Sequence, residues 1–293
     1  LNLRQRNERR LAWLLCAPAV TVLIGVIVYP ILYAVWLSLF RYDLRFPEQR
    51  VFVGLDNYVS ILTSEVWWQA LGNTLILTIG SVSIELLLGF ILALIMHHTL
   101  FWRRAVRAAM LIPYAMITVV AAMAWKFAFD PTTGFIDALL DREQAWLTQR
   151  GSAFLVIILT EVWKTTPFMA LLLMAGLTLV PHELIQAARV DGANAWQRFI
   201  KIVVPTMKPV ILVAVLFRTL DAFRIFDTVF ILTRGAQNTE TVSMVGYNTL
   251  LVSLNLGLGS AVSVLIFVGV LIISIVFIKG FGTPTGRRGE IDS

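Results

Sequence analysis

The sequence predicts an all-α protein that crosses a membrane with six helices. Three observations carry that reading. Hydrophobic residues make up 58% of the 293-residue chain and the mean hydropathy is +0.80; soluble domains stop at about 45–50% apolar content even with glycine included. Apolar runs at about 12–40, 70–96, 105–128, 153–179, 207–232 and 259–279 each reach the roughly 20 residues a helix needs to span hydrocarbon. The runs lack period-2 alternation and are too long for barrel strands, so strands are not expected. Little chain remains for a soluble domain. The reading is a short N-terminal segment 1–11, a membrane domain 12–279 and a tail 280–293.

The first run follows several arginines, as in a signal peptide. It continues to about Phe40, far beyond a signal peptide's core, and reads as a retained anchor helix kinked at Pro30. An outer segment, about 41–69, ends in Trp67-Trp68, an interfacial anchor. The second run carries Glu85. The third contains Pro113 and ends at Trp125-Lys126; Asp130-Pro131 and Gly134 then supply turn chemistry. The fourth contains Glu161, Lys164 and Pro167. The fifth contains Arg218, Asp221, Arg224 and Asp227, and the sixth is nearly free of polar groups.

Charge placement orients the bundle. With the N-terminus inside, the inner segments hold Arg4, Arg6, Arg9, Arg10, Arg103, Arg104, Arg107, Arg189, Arg198, Lys201, Lys208, Lys279, Arg287 and Arg288. The outer segments hold Arg41, Arg45, Arg50, Arg142, Arg150 and Arg234. The count of 14 against 6 puts both termini in the cytoplasm. The inner basic residues meet lipid headgroups, and no basic domain exists to receive nucleic acid. Cys16, the single cysteine, excludes an intramolecular disulfide. The adjacent His97 and His98 point different ways on a helix and do not form a metal site. The sequence contains no GxxxxGK[ST] phosphate loop.

The most informative stretch is the polar segment 181–205 between the fourth and fifth runs. Pro181 suits a helix's first turn. A short helix to Val190 would place Leu184, Ala187 and Ala188 on one side. Asp191-Gly192 breaks it, and a second short helix from Ala193 to about Lys201 leads to Pro205. Arg189, Arg198 and Lys201 would face water or an acidic partner. A loop that only turns a corner has no need of two hinged amphipathic pieces, so this one is shaped to be gripped from outside the membrane.

Ionisable groups inside the membrane cost roughly 2.5–3.5 kcal/mol each on insertion scales unless paired or hydrated. Arg218, Asp221, Arg224 and Asp227 alternate in sign at i, i+3 spacing, and Glu161 and Lys164 repeat that spacing. Two readings stand side by side: a charge ladder holding spans together, or a ladder part of which lines a path for a sugar, a dense array of hydroxyls. Pro167 removes a backbone donor beside Lys164, as in the broken helices of transport paths. Glu85 and Lys126 are expected to pair with other spans.

The polar segment resembles the EAA loop of binding-protein-dependent ABC importer permeases: E-A-A, three residues, G, nine residues, I-x-L-P. Ala187, Ala188, Gly192, Ile202 and Pro205 fit, whereas Gln186 replaces the usual Glu and Val204 the usual Leu. Residues 161–168 and 218–226 extend the resemblance to the sugar-permease branch, that of the maltose, glycerol-phosphate and trehalose importers. The resemblance implies a type I importer permease fold and a non-catalytic subunit in the cell membrane. It implies a second homologous permease, two ATP-binding subunits that hold ATP and magnesium, and an extracytoplasmic, lipoprotein sugar-binding protein. The chain itself would bind no cofactor or metal. Gln186, Ala187, Ala188, Arg189, Asp191, Gly192 and Pro205 would belong to the ATPase-coupling loop. Sugar contacts carried over from the maltose-type members fall on Lys164, Thr165, Phe168, Arg218, Ala222 and Ile225, with Glu161, Asp221 and Arg224 beside them. The implied solute is trehalose, with maltose-like sugars or glycerol-phosphate as alternatives. Two other classes compete. A self-sufficient secondary transporter would usually show an inverted repeat between its halves. A membrane enzyme would need a catalytic constellation that the lone Cys and the three His do not supply.

Overall fold

The computed structural model describes residues 3–98, 103–140 and 144–281. The inner-loop residues 99–102 and tail residues 282–293 lie outside the described residues. Packing divides the chain into two compact units, Leu1–Trp67 with Val245–Val268, and Trp68–Met244 with Gly269–Ser293.

In the first unit, α1 (Leu3–Leu23) passes through a π-helical turn, Ile24–Val28, into α2 (Tyr29–Ser38). The helix therefore begins well before residue 12. Pro30 has no N–H for the carbonyl four residues back, and the wider turn lies immediately before it. The outer segment contains a two-residue antiparallel pair, β1 (Phe40–Arg41) with β2 (Val51–Phe52). The expectation of no strands is corrected to that extent. Arg50 lies over the Trp36 and Phe40 rings at 4.0 and 4.6 Å, a cation–π clamp that fixes the end of β2's approach. In the first turn of α3 (Asp56–Leu62), the Asn57 amide donates to the Ser38 and Phe40 carbonyls at 2.7 and 2.9 Å, tying the segment to the end of α2.

The second unit carries the polar chemistry. It opens with α4 (Glu65–His98), then α5 (Arg103–Ala115) and α6 (Thr118–Ala128). The third apolar run is not one straight helix: α5 and α6 meet at 94°. Ile117 takes an extended conformation at the break, four residues after Pro113. The short α7 (Ile136–Leu140) precedes α8 (Arg150–Leu177), the most enclosed helix of the unit. It packs against α5, α6 and the helices of the fifth run. Its Thr160, Thr165 and Thr166 hydroxyls donate to carbonyls four residues back, so their burial leaves no donor unmet.

The polar segment forms α9 (His182–Val190) and α10 (Ala195–Arg198). A π-helical turn, Phe199–Val203, joins α10 without a break to α11 (Val204–Ala222). The second short helix of the sequence reading is thus the first turn of a 28-residue helix, Ala195–Ala222. Pro205 does not end it: proline has no N–H for the carbonyl four residues back, and the wider π-helical turn just before it, where the Val204 N–H reaches back five residues to Phe199, makes room for the ring. At the other end the helix stops early. Phe226 leaves helical geometry (φ −136°, ψ −62°), and α12 (Asp227–Leu232) starts anew. The expected span to residue 232 is therefore broken, and the Arg218–Asp227 series does not lie on one helix. The chain continues through α13 (Val242–Tyr247) and a π-helical turn to α14 (Leu256–Phe281). Among the described residues, five helices are long and apolar enough to span a membrane, or six when α5 with α6 counts as one broken span.

Arg218 ties these helices together. It is 1% exposed, and its guanidinium donates from Nε and Nη2 to Glu85 of α4 at 2.6 and 3.0 Å. Nη2 also donates to Glu161 of α8 at 3.0 Å, and Nη1 to Asp221 at 2.7 Å. The Thr228 hydroxyl of α12 donates to the other Glu161 oxygen. Glu85 pairs with another span as expected. Lys126 also reaches another run, donating to the Ile231 carbonyl at 3.0 Å, at the end of α12. Close backbone approach complements the ion pairs: a Cβ at Gly176 would meet Met207 and Val210 of α11 at 2.9 Å, the small-residue contact that draws membrane helices together.

Removing a partner from a buried ion pair costs about 3–5 kcal/mol. Arg218→Met is expected to lower the thermal unfolding midpoint of the solubilised protein steeply, or to abolish folded protein in the membrane. Glu85→Gln should cost less, because Arg218 keeps Glu161 and Asp221. Equal losses for the two variants would refute a hub centred on Arg218.

Candidate functional site

The break between α11 and α12 opens a polar cleft of about 160 Å³ against α8 and α6. Glu161, Lys164 and Thr165 enter from α8, Asp221 from the last turn of α11, and Arg224 and Ile225 from the break itself. Phe226, Asp227 and Thr228 follow from the start of α12, and Thr118 comes from α6. Both charge signs, three hydroxyls and little apolar surface face one small space. Such a lining can donate to and accept from a dense array of hydroxyls.

Six of the nine residues singled out as a pathway therefore meet at this cleft: Glu161, Lys164, Thr165, Asp221, Arg224 and Ile225. Three do not. Arg218 is enclosed by its carboxylates, and Ala222 is buried in the packing of α11. Phe168 lies one helical turn from Lys164 and stacks on Tyr114 of α5, with centroids 5.2 Å apart and planes at 16°. Lys164 sits over the same Tyr114 ring at 5.9 Å, so the aromatic pair adjoins the Lys164 side of the cleft. Asp221 occupies both settings: one oxygen meets Arg218, while its side chain remains 67% exposed. Among the described residues, Lys164, Arg224 and Asp227 carry no ion pair, which leaves their charges available.

Thr118 and Thr228 were missed by sequence reading. Thr118 follows a bend that only Pro113 hinted at. Thr228 reaches the site because the fifth run breaks, and no proline or glycine in the stretch 217–232 marks that break. The i, i+3 carboxylate and cation pairs were the usable signal.

The second candidate site is the exposed segment from α9 to α10. Pro181 caps α9 rather than entering its first turn. Gly192 has φ +80°, the left-handed conformation that favours glycine. Its N–H donates to the Arg189 carbonyl and that of Ala193 to the Ala188 carbonyl, at 3.1 and 2.9 Å, closing the helix end. Asn194 and Gln197 then exchange side-chain and backbone hydrogen bonds at 2.8 and 2.9 Å, a capping box that starts α10. Gln186, Ala187, Arg189, Asp191, Gly192 and Pro205 are exposed and Ala188 is half-buried. Val190, at 89% exposed, adds an open apolar group beside Gln186 and Ala187. The segment is a rigid, double-capped bend presented outward.

Comparison with known proteins places this geometry. The family of binding-protein-dependent transport system inner membrane components matches residues 85–281, which hold both candidate sites. The trehalose transport system permease protein SugA of Mycobacterium tuberculosis is 52% identical over 286 residues, covering 96% of this chain and 93% of that protein. The trehalose/maltose transport system permease protein MalF of Thermococcus litoralis is 38% identical, covering 93% and 94%. In fold, the chain is similar to a bacterial ABC transporter involved in import of the acidic polysaccharide alginate, with TM-score 0.80, 22% identity, and 97% and 100% coverage. The chain is therefore a multi-pass membrane protein belonging to the binding-protein-dependent transport system inner membrane component family, the permeases of ABC importers.

Proposed function

We propose that this permease imports trehalose as part of an ATP-driven complex. The carrying observation is the 52% identity, over nearly the full length of both chains, to a trehalose transport system permease. The assembly consists of this chain, a second similar permease, two ATP-hydrolysing subunits that bind ATP and magnesium, and an extracytoplasmic, lipid-anchored sugar-binding protein. One solved alginate importer similar in fold is described in complex with a saccharide-bound periplasmic protein, which supports that partner. The chain supplies no phosphate loop of its own.

The cleft serves as a low-affinity station on the sugar's path. Lys164 and Arg224 donate to sugar oxygens, while Glu161, Asp221 and Asp227 accept from sugar hydroxyls. Tyr114 and Phe168 offer a ring face beside them. The binding protein holds most of the affinity, and the cleft needs only to release. On the cytoplasmic side, the ATPase subunits grip the α9–α10 bend through Gln186, Ala187, Ala188 and their neighbours. Nucleotide-driven closure moves the bend. The continuous helix Ala195–Ala222, about 40 Å long at 1.5 Å per residue, carries that movement to Asp221 at the cleft. Gln186 in place of the family's Glu removes one charged contact with the ATPase and keeps the backbone shape of the bend.

Reconstitution of the complete importer tests this reading. Trehalose uptake into proteoliposomes should require internal ATP and external binding protein; uptake by the isolated chain without nucleotide would point to a secondary transporter. Gly192→Val forces a β-branched residue into a left-handed position, a strain of about 1–3 kcal/mol. It should lower the ATPase stimulation that sugar-loaded binding protein produces, while the helix bundle stays folded. Each charged hydrogen bond is worth about 1.5–3 kcal/mol, so Lys164→Ala and Asp227→Ala should each reduce uptake about tenfold or more with normal subunit assembly. Loss of assembly would instead assign those charges to packing.

A further inference from the structure

We propose that a second, apolar groove in this chain is a binding site for one anionic phospholipid of the leaflet on its basic side. The groove encloses about 670 Å³ between the end of α4 and the α9–α10 segment. One wall is a stripe on α4: Leu87, Phe90, Ile91 and Leu94, spaced as one helix face. That stripe rises about 10 Å along the helix axis. Leu94 lies one turn from the end of α4 at His98, so the groove opens near the membrane surface and runs inward from it.

Charge is confined to the open end. Among the described residues, Arg189 and Arg198, from α9 and α10, are the ionisable groups of the lining, and no carboxylate accompanies them there. The Trp196 indole is 68% exposed and stacks on Phe199, the position that amphipathic rings take at a membrane interface. Apolar walls along the length with cations at the mouth complement an acyl chain with a negative headgroup. A sugar would leave the walls unsatisfied, and a zwitterionic lipid would bring a second cation to the two arginines. Juxtamembrane basic pockets of this kind recognise acidic lipid headgroups.

The lipid and the ATPase need not compete. Ile185 and Arg189, one turn apart on α9, face the groove. Ala187 and Val190 lie on the other side of that helix, with Gln186 on its flank, and all three are exposed. The proposal rests on the membrane reading of the chain and is independent of which sugar is carried.

Trp196 provides the probe. The assembled importer is placed in phosphatidylcholine nanodiscs containing an equal fraction of brominated phosphatidylglycerol or brominated phosphatidylcholine. The emission missing from Trp196→Phe defines the Trp196 share, and its quenching reports the occupant. Each basic residue favours anionic lipid by about fivefold, so phosphatidylglycerol should be preferred by about twenty- to thirtyfold in the wild type. Arg198→Gln, which leaves the coupling residues intact, should cut that preference about fivefold, and Arg189→Gln with Arg198→Gln should erase it. Equal quenching by the two lipids, a preference that survives these substitutions, or an unquenched Trp196 in the assembled importer would each overturn the proposal. The last result would mean that a protein subunit covers the groove. Sugar uptake does not enter the readout, so a wrong sugar assignment leaves the result interpretable.

Discussion

A guanidinium almost wholly removed from solvent is tolerable only if its charge is met on every side, and Arg218 meets that requirement with carboxylates from three stretches of chain. Two parallel bonds go to Glu85, the geometry in which arginine and carboxylate match best. Glu85 is itself fully buried, so neither partner has an alternative in lipid. That mutual dependence fixes α4 beside α11. Glu161 receives both Arg218 and the Thr228 hydroxyl, which brings α8 and α12 to the same point. Apolar helix faces in a bilayer do not choose their neighbours strongly, because lipid tails are as apolar as leucine. The ion network supplies the choice, and close contacts such as Gly176 against α11 refine it.

The cleft is a consequence of that network. Asp221 gives one oxygen to Arg218 and presents the rest of its side chain to the cavity, while Glu161, at its edge, gives one oxygen to Arg218 and the other to the Thr228 hydroxyl. Their positions are therefore set by a buried charge that no solute touches, while Lys164, Arg224 and Asp227 add unpaired charges around them. A site arranged in this way is pre-organised at no cost to the solute. It also remains polar enough to hold water when empty, which under the proposed function suits a station that must release what it receives. Its mixed signs fit a neutral polyol better than a strongly anionic saccharide, in keeping with similarity to trehalose and trehalose/maltose permeases at 52% and 38% identity.

The sequence made the number of apolar runs, the α9–α10 bend and most of the cleft residues readable, each for a physical reason. Hydrocarbon thickness fixes run length, Gly192 marks a left-handed turn, and charges within apolar runs stand out because they are expensive. Continuity and breakage were not readable. Met116 and Ile117 lie in an apolar run, yet the chain turns through 94° there. Phe223, Ile225 and Phe226 are as hydrophobic as any spanning stretch, yet α11 ends before them. Hydropathy reports which residues leave water; it does not report whether the backbone between them is straight. The charge series divides in the structure: Arg218 holds helices together, Arg224 and Asp227 line the cavity, and Asp221 does both.

Where the helix is unbroken matters as much as where it breaks. Movement applied at the α9–α10 bend passes into α11 without crossing a loop, because Ala195–Ala222 is one helix with a single π-helical turn in it. A flexible joint there would dissipate a displacement in backbone rotation; a continuous hydrogen-bonded helix transmits it. The chain places its discontinuity at the opposite end, in the four residues Phe223–Phe226 between α11 and α12. Under the proposed mechanism the rod therefore ends where the cleft begins. Asp221 moves with the rod, whereas Asp227 and Thr228 belong to α12, which Lys126 and Glu161 hold against α6 and α8. Displacement of α11 then changes the distance between two groups of polar side chains lining the same cavity, and the geometry of the solute station follows the state of the coupling bend.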